Sequence, residues 1–415
     1  MTLWNPVYRV QVNGVTATSA TLAGLTITSG RTDIYSQPIA GYCNLSLIET
    51  NESEIVYEIN DAVTVQVKDT SGNYVTLFGG FITDLTIIVQ TSGSTALSQR
   101  INIIAVGALA RLVRSIYVGN LASDNEGDQI YEILQSTLLG RWNEVPAATT
   151  WNTYTPTTTW QNAENSGLGT IDRPGNYTLD SQNNLNNTVY EIVAGLATSG
   201  LGYLFEDAEG RINYADSTHR ADYWGNNGFV ELDGNHAFGP GLQITKRAGD
   251  VRNKVTISYT SSGNSTHTEE DANSIENYGQ LATTIATTLK NQADAEEQAL
   301  FYLALRADPN YSMRQISFPI GSTEIDNSDR DNLLNVFMGL PLRITNLPTN
   351  MVDGQFEGFV EGWTWRAGYN SLQLDLNISP FAFSIQTYQW QDVNPAETWN
   401  TLSATLTWED ATIVA

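Results

Sequence analysis

The chain has 415 residues, and 41% of them are hydrophobic. A chain of this length is too long for a single hydrophobic core, so we expect about two to four domains. Its 20 Lys and Arg against 45 Asp and Glu give a formal net charge of −25, which repels nucleic acid and anionic membranes; this argues against DNA binding but suits a wall that DNA slides past. The single cysteine, Cys43, excludes an intramolecular disulfide, and the sequence shows no N-terminal leader, so we expect assembly in a reducing cytoplasm. Because no apolar run approaches about 18 residues, we expect no membrane span.

Short runs of β-branched and aromatic residues, separated by Gly, Asn, Asp and Ser, fill the first part of the chain. Val63, Val65 and Val67 alternate with polar residues, which is typical of a strand with one buried face. Gly72 follows in a loop where a hairpin needs a positive φ. We therefore expect an N-terminal β-barrel-like domain over residues 1–115. Its predicted strands are Tyr8–Val12, Asn44–Ile48, Ala62–Lys68, Tyr74–Phe78, Phe81–Val89 and Gln99–Ala105.

The hydrophobic period then changes to that of helices. Apolar residues from Ile130 to Leu138 share one helical face, and those from Leu185 to Leu196 predict a second amphipathic helix. Two short apolar runs, Tyr203–Glu206 and Arg211–Tyr214, flank an Asp-Ala-Glu-Gly loop and predict a hairpin. These elements indicate an inserted α+β domain over residues 116–250.

A second strand-rich region follows and is expected to form a β-barrel-like domain over residues 251–388. It contains a long helix signal in which Ala293, Leu300, Leu303 and Ala304 share a face, ended before Pro309. The predicted strands are Asn253–Tyr259, Leu342–Ile344, Gln355–Glu361 and Leu372–Leu376. The overall expectation is a mainly β fold with an α+β insertion between two small β-barrel-like domains, and an arm at 389–415.

Two segments repeat an array of equally spaced tryptophans, one inside the α+β region and one in the C-terminal arm. Neither segment has a continuous apolar run that could build its own core. Tryptophan buries much area at small entropy cost and is enriched at interface hot spots, so one interpretation is docking to other proteins. The other is that each tryptophan pins a local turn to its own domain. The candidate interface residues are Trp142, Trp151, Trp160, Trp390, Trp399 and Trp408.

Patterns that would indicate a metal or a cofactor are weak. The three histidines, His219, His236 and His267, stand far apart without zinc-ligand spacing. The segment Asp326–Asp331 resembles a calcium loop but has arginine at a ligand position, so a solvated helix start is the better interpretation. Glycine pairs such as Gly200 and Gly202 lack the remainder of a nucleotide fingerprint. We expect no cofactor and no metal.

Catalytic constellations are equally weak. No Gly-x-Ser-x-Gly elbow occurs in the sequence. Glu206, Asp207 and Glu209 could pair as in a glycosidase, but carboxylates at a hairpin tip are normally solvated and lack the raised pKa that an acid catalyst needs. We therefore expect that the protein is not an enzyme.

Several segments resemble minor tail proteins of long-tailed bacteriophages. They are Thr28–Asp33 with Leu45–Leu47, Phe78–Asp84, Ser274–Gly279 with the alanine-rich helix after it, Gly358–Trp363, Leu372–Leu374 and the Trp-x-Asp/Glu-Val tails. The resemblance implies a tail-tip hub similar in plan to the baseplate hub of contractile-tailed phages. Such hubs carry two related β-barrels per subunit, so that a homotrimer presents pseudo-sixfold symmetry to a hexameric tail tube.

Two hypotheses follow. The leading one is a structural hub at the virion tail tip that closes the tube, forms part of the DNA exit conduit without specific DNA binding, and contacts the distal tail or tube ring, the tape measure and fibre or tip proteins. The alternative is a carbohydrate-binding adhesin module, in which acidic loops and exposed tryptophans serve as sugar platforms. A hub buries its tryptophans against other virion proteins, whereas an adhesin keeps aromatic faces open in a shallow groove.

Overall fold

The protein is described from a computed structural model, which covers residues 4–18, 20–50, 54–91, 98–138, 171–239, 242, 244–260, 265–313, 315–349 and 354–385. Strands predominate and helices lie between them. None of the helices in these ranges has the length and hydropathy needed to cross a membrane.

The N-terminal region is built from strands. The first and fifth strands match the predicted ranges, whereas the two runs predicted from Tyr74 to Val89 form one long strand. The alternation in the fifth strand is confirmed, because Val63, Val65 and Val67 are fully buried. The strands are β1 (Tyr8–Val12), β2 (Val15–Thr16), β3 (Ala20–Gly30), β4 (Ile39–Glu49), β5 (Ala62–Lys68), β6 (Tyr74–Thr91) and β7 (Ser98–Val106).

The middle region is mixed α and β, as predicted. The predicted hairpin is confirmed, with Tyr203 paired to Ala215 and Glu206 paired to Ile212. The second predicted helix begins at Val189, and Leu185 lies on the strand before it. Thr188 and Glu191 exchange hydrogen bonds in a capping box at its start. The elements are α1 (Leu109–Arg114), β8 (Ile116–Leu121), β9 (Asp124–Asn125), α2 (Glu126–Leu138), β10 (Thr178–Leu179), β11 (Gln182–Thr188), α3 (Val189–Ser199), β12 (Tyr203–Glu206), β13 (Ile212–Ala215), α4 (His219–Asn227) and β14 (Val230–Asp233).

The third region returns to strands around one long helix. Asp326 caps the last helix by accepting a hydrogen bond from the Asp329 amide at 2.8 Å, which confirms the predicted helix start. The expected solvation of this segment is wrong, because Asp329 and Arg330 are buried. The elements are β15 (Thr245–Lys246), β16 (Lys254–Tyr259), β17 (Ser265–Glu270), α5 (Ala272–Tyr278), β18 (Ala282–Ile285), α6 (Gln292–Arg306), β19 (Tyr311–Ser312), β20 (Ile316–Phe318), α7 (Asn327–Leu334), β21 (Pro341–Thr345), β22 (Phe356–Gly368) and β23 (Ser371–Pro380).

One 12-stranded sheet joins the beginning and the end of the described chain. Its order is β14-β21-β22-β3-β4-β7-β6-β5-β1-β2, with β23 paired to both β22 and β20. Antiparallel pairing of β3 with β22 runs from Gly30 opposite Gly362 to Leu25 opposite Ala367. Strands of both expected β-domains thus share one sheet, and the pairing among the described strands does not close into a barrel. The mainly β class is confirmed, and the division into two barrel-like domains stays a prediction.

Two hydrophobic cores hold these elements. The larger one lies on the 12-stranded sheet and includes Ile27, Leu45 and Trp365. The smaller one lies among α1, α2, α3, α6 and β16, and includes Ile130 and Val193. The space between the sheet and the helices contains the buried charged groups described next.

Candidate functional site

The six tryptophans predicted as interface residues lie outside the described residues. Trp142, Trp151 and Trp160 fall in the segment 139–170, and Trp390, Trp399 and Trp408 fall in 386–415. The structure therefore brings together other groups, and the interface role of the tryptophans stays a prediction.

A buried carboxylate, Glu361, holds two arginines. The side chain of Glu361 is 1% exposed on β22. Its Oε2 accepts from Arg31 Nε at 2.7 Å and from Arg220 Nη2 at 2.9 Å, and its Oε1 accepts from Arg220 Nη1 and Ser379 Oγ at 2.7 and 2.6 Å. Such a forked arginine–carboxylate pair is strong because both hydrogen bonds are charge-assisted and parallel. Each oxygen of the Glu361 carboxylate therefore accepts two hydrogen bonds.

The elements that meet here come from distant parts of the sequence. Arg31 directly follows β3, Arg220 lies in the first turn of α4, and Ser379 lies on β23 beside Glu361. Tyr203 of β12 lies under both guanidinium groups, with its ring centroid 5.3 Å from Arg31 Cζ and 4.8 Å from Arg220 Cζ. The ring faces attract the cations and exclude water from the ion pairs. The network therefore locks the sheet to the middle region.

Electrostatics fix the charge state of this network. Burial raises the pKa of Glu361, but the Arg220 and Arg31 charges and the hydrogen bonds from Arg220 and Ser379 outweigh it and lower the pKa to about 2. For Arg220, burial lowers the pKa, and Glu361 more than reverses that effect. Glu361 and Arg220 are therefore both charged at neutral pH.

Two glycines allow the strands to approach at this point. Gly30 ends β3 with φ +81°, and a Cβ there would lie 2.4 Å from the Glu361 carbonyl oxygen. Gly362 lies opposite, and a Cβ there would lie 2.6 Å from the Arg31 carbonyl oxygen. Backbone contact this close leaves no room for a side chain, so both positions require glycine. Both glycines belong to the segments that carry the resemblance to tail proteins.

A cavity of about 380 Å³ opens beside the network. Arg31, Arg220, Arg252 and Arg306 line it, together with Asp216. Aromatic and polar groups complete the lining, among them Tyr35, Gln37, Tyr203, Tyr302, Phe383 and Ser384. In a chain of net charge −25, this is a local concentration of cationic groups. Sequence reasoning missed the cavity, because none of its arginines is near another in the sequence.

The hairpin carboxylate Glu206 corrects one expectation from the sequence. It is not solvated but 7% exposed, and it accepts backbone hydrogen bonds from Gly41 and, at 2.8 Å, from Leu109. Burial raises the pKa of Glu206 to about 7 against these hydrogen bonds. Its carboxylate fits against Gly107, where a Cβ would overlap it. The side chain is thus enclosed by backbone, which fits a joint between elements better than an acid catalyst.

The neighbouring Asp207 forms an ion pair with Arg211. Burial raises the pKa of Asp207 to about 6, although the Arg211 charge opposes the shift. Asp207 also accepts from the backbone amides of Glu209 and Arg211 at 3.1 and 2.9 Å. The carboxylate holds the hairpin turn closed.

A third buried carboxylate, Glu126, begins helix α2. Glu126 is 0% exposed and accepts from the amides of Asn176 and Tyr177 at 2.7 and 2.9 Å. Burial raises the pKa of Glu126 to about 7, with a further contribution from Asp216. A Cβ on Gly175 or Gly200 would meet this carboxylate, so it is enclosed as Glu206 is.

Each histidine has a carboxylate partner that sequence spacing did not reveal. His219 contacts Asp172 at 2.6 Å, and His236 contacts Asp329 at 2.7 Å. The third, His267, contacts Glu269 at 2.7 Å. Two of these pairs have one further carboxylate close enough to share a metal ion, Asp326 for His236 and Glu296 for His267.

The first of these groups already has protein partners. Asp329 accepts from the Asp233 amide at 2.9 Å, and Asp326 caps helix α7. In the second group Glu296 is exposed on α6. The contacts of Asp329 and Asp326 account for the carboxylates of the first group as structural groups.

Comparison with known proteins adds the fold relationship. No protein-family model and no curated protein sequence matches the chain. Among solved structures, it is similar to the 43 kDa tail protein of prophage MuSo2 from Shewanella oneidensis, with a TM-score of 0.56 and 12% identity over 91% of this chain and 99% of that one. It is also similar to a tail protein from Neisseria meningitidis MC58, with a TM-score of 0.55 and 11% identity over 92% of this chain and 98% of that one. The chain therefore has the fold of phage tail proteins, as the resemblance of its strand segments predicts.

Proposed function

We propose that the chain is a structural, non-catalytic component of a bacteriophage tail and that it forms the tail-tip hub. The observation that carries the proposal is the fold, shared with two tail proteins over nearly the whole length of each. In this role the protein closes the tail tube, anchors tip or fibre proteins and forms part of the DNA exit conduit. It joins the virion after assembly in the host cytoplasm.

The proposed assembly is a homotrimer. A trimer presents six similar surfaces to a hexameric tube if the strands before residue 115 and those after residue 251 form two related units. The pairing of β3 with β22 supports this arrangement, since it places the two sets of strands side by side. The partners are the distal tail or tube ring, the tape measure and fibre or tip proteins, and the six tryptophans are the proposed contacts to them.

The net charge of −25 supports a conduit role. A wall that carries excess carboxylates repels duplex DNA and prevents adsorption during passage. We expect the acidic excess to face the central axis of the trimer. A ring of arginines projecting into the channel would contradict this part of the proposal.

A reconstruction of the assembled virion tests the function. We expect three copies around the tail axis at the distal end of the tube, and light scattering of the purified chain at a mass of one or three subunits of 45.5 kDa. Deletion of the gene removes the tip and yields no infectious particles, and the chain supplied in trans restores them. Location of the chain in side fibres, or glycan binding by the isolated chain with intact tips in its absence, would favour the adhesin instead.

A further inference from the structure

The charges around the cavity beside Glu361 do not balance. Arg31 and Arg220 share the carboxylate of Glu361. Arg306 and Arg252 form no ion pair with any carboxylate of the described residues. A buried cation without a counterion is costly, so an arrangement of this kind points to an anion supplied from outside.

Arg306 is the clearest case. The residue is 6% exposed at the end of α6 and lines the cavity. Its Nη2 lies 3.5 Å from the Phe383 carbonyl oxygen, and its Nε has no hydrogen-bond partner within the described ranges. Burial lowers the pKa of Arg306; Tyr302 and Tyr35 oppose that effect, and the nearby Arg31 and Arg252 charges add to it. The guanidinium therefore retains an unused Nε–H donor in the neighbourhood of two other cationic groups.

Aromatic rings hold the two unpaired guanidinium groups in place. The ring centroid of Tyr35 lies 4.8 Å from Arg252 Cζ and 4.9 Å from Arg306 Cζ. Tyr302 lies 4.9 Å from Arg306 in the same way, and the Tyr35 hydroxyl donates to the Asp250 carbonyl at 3.0 Å. Arg252 is half-buried and donates to the carbonyls of Gly249 and Val251, both at 2.7 Å. The rings fix the planes of the cations and leave their edges available.

Other groups in the lining do not neutralise these cations. Asp216 accepts from Thr218 N, Thr218 Oγ1 and His219 N, so its carboxylate is engaged in its own turn. Arg220 also has an Nε without a hydrogen-bond partner in the described part of the chain. Two buried arginine Nε–H groups thus remain as donors beside one cavity.

We propose that this cavity binds a small oxyanion, a carboxylate or phosphate compound, through Arg306 and Arg252. Guanidinium groups bind both anions through parallel charge-assisted hydrogen bonds, and a partly enclosed site strengthens them because water is excluded. The volume of about 380 Å³ matches a small ligand and not a folded segment. The proposal is independent of the tail-tip role.

Calorimetry and thermal unfolding of the full chain test the proposal with succinate and with inorganic phosphate, each at constant ionic strength set by sodium chloride. We expect saturable binding and a raised Tm with at least one of them. Stronger binding of succinate assigns the site to carboxylates, and stronger binding of phosphate assigns it to phosphate compounds.

Arg306→Met is the decisive variant. It removes the charge and the N–H donors, so we expect at least a tenfold loss of anion affinity. It keeps the packing of the side-chain stem, so we expect a Tm, measured without anion, equal to or above that of the wild type. Arg252→Gln, at a half-buried position, should weaken anion binding without loss of folding. It serves as the test if Arg306→Met does not fold. The control is Arg9→Gln, which removes one charge from a residue outside the cavity, bonded to Gln66, and should bind as the wild type does.

Three results would overturn the proposal. One is the absence of saturable binding of either anion. Another is wild-type affinity in both cavity variants. The third is an equal loss of affinity in Arg9→Gln, which would show that net charge and not the cavity governs binding.

Discussion

Glu361 shows how a single charged residue can hold three parts of the chain together. It is the only partner through which Arg31 and Arg220 are neutralised among the described residues. In the sequence, Glu361 is one of several polar residues among the apolar residues of its strand. The alternation of apolar and polar residues predicts which face of the strand is buried, but it does not predict the charge partner of Glu361. The pairing depends on tertiary contacts between residues more than a hundred positions apart, which periodicity does not report.

Replacement of Glu361 by Gln should strongly destabilise the protein. The change leaves two buried guanidinium groups without a counterion, and we expect a loss of about 3–5 kcal/mol in the free energy of unfolding. Urea denaturation followed by fluorescence measures it. The matched control is Glu357→Gln on the same strand, whose partner Arg343 is about a third exposed, with an expected loss below about 1 kcal/mol. Equal losses in the two variants would show that the buried network contributes no more to the free energy of unfolding than an exposed ion pair does.

Gly30 carries a second residue-scale prediction. Gly30→Ala forces a side chain into a positive φ and against the Glu361 backbone, so we expect a loss of at least about 1–3 kcal/mol. Gly24→Ala on the same strand is the control, because a Cβ there meets nothing within 4 Å; it should leave stability unchanged or raise it by about 0.4–1 kcal/mol. Thermal unfolding of both variants decides the matter, and a neutral Gly30→Ala would mean that β3 and β22 are not in close contact.

At the scale of elements, the sequence predicted strands and helices well and their buried faces less well. The predicted face of helix α6 is wrong, since Leu300 is 49% exposed while Ala295 and Ala299 are fully buried. The physical reason is that small alanines allow close packing, and buried Gln298 satisfies its amide by donating to the Ser199 carbonyl at 2.7 Å. Apolar periodicity cannot identify a buried polar residue that has a partner elsewhere.

The hairpin β12–β13 should make stability depend on pH through Glu206. Its folded-state pKa of about 7 lies above the ordinary value of 4.5, so the folded state binds the proton more tightly. The stability from this group is fully present below about pH 4.5 and is lost as the pH rises through 7. We expect a loss on the order of 2 kcal/mol between pH 5 and pH 8 from this carboxyl.

Urea denaturation at several pH values measures this effect. Glu126 contributes in the same direction, since burial also raises its pKa to about 7. Glu206→Gln should reduce the slope between pH 5 and pH 8, whereas Glu324→Gln, at an exposed position, should keep it. A wild-type protein that becomes more stable over this range would show that neither carboxyl is buried as described.

At the scale of the whole molecule, the strand-rich ends and the mixed middle were predictable from composition and period. Their association was not, because β3 and β22 pair across most of the chain and no local signal specifies a strand's partner. The arginine cavity arises from the same long-range association. The resemblance to tail proteins, carried by short segments, supplied the fold relationship that periodicity could not.

Truncation after Tyr388 tests the C-terminal tryptophan array as a docking element. The deleted segment has no continuous apolar run but carries three tryptophans, so we expect a folded protein that fails to form complete tails. Circular dichroism and thermal unfolding check the fold, and electron microscopy of complemented particles checks assembly. Unfolding of the truncated protein would make the array an internal staple, and normal tails would exclude both roles.

The pairing of β3 with β22 also imposes an order on biosynthesis. On the ribosome, the edge of β3 is complete roughly 330 residues before Gly362 emerges, which takes tens of seconds at about 5–20 residues per second. During that interval the nascent chain carries an unpaired strand edge and an Arg31 without its carboxylate. The N-terminal strands pair with the last part of the sheet only after it has been synthesised, so slow translation or truncated messages should favour aggregation through this edge. Host chaperones that cover the edge should raise the yield.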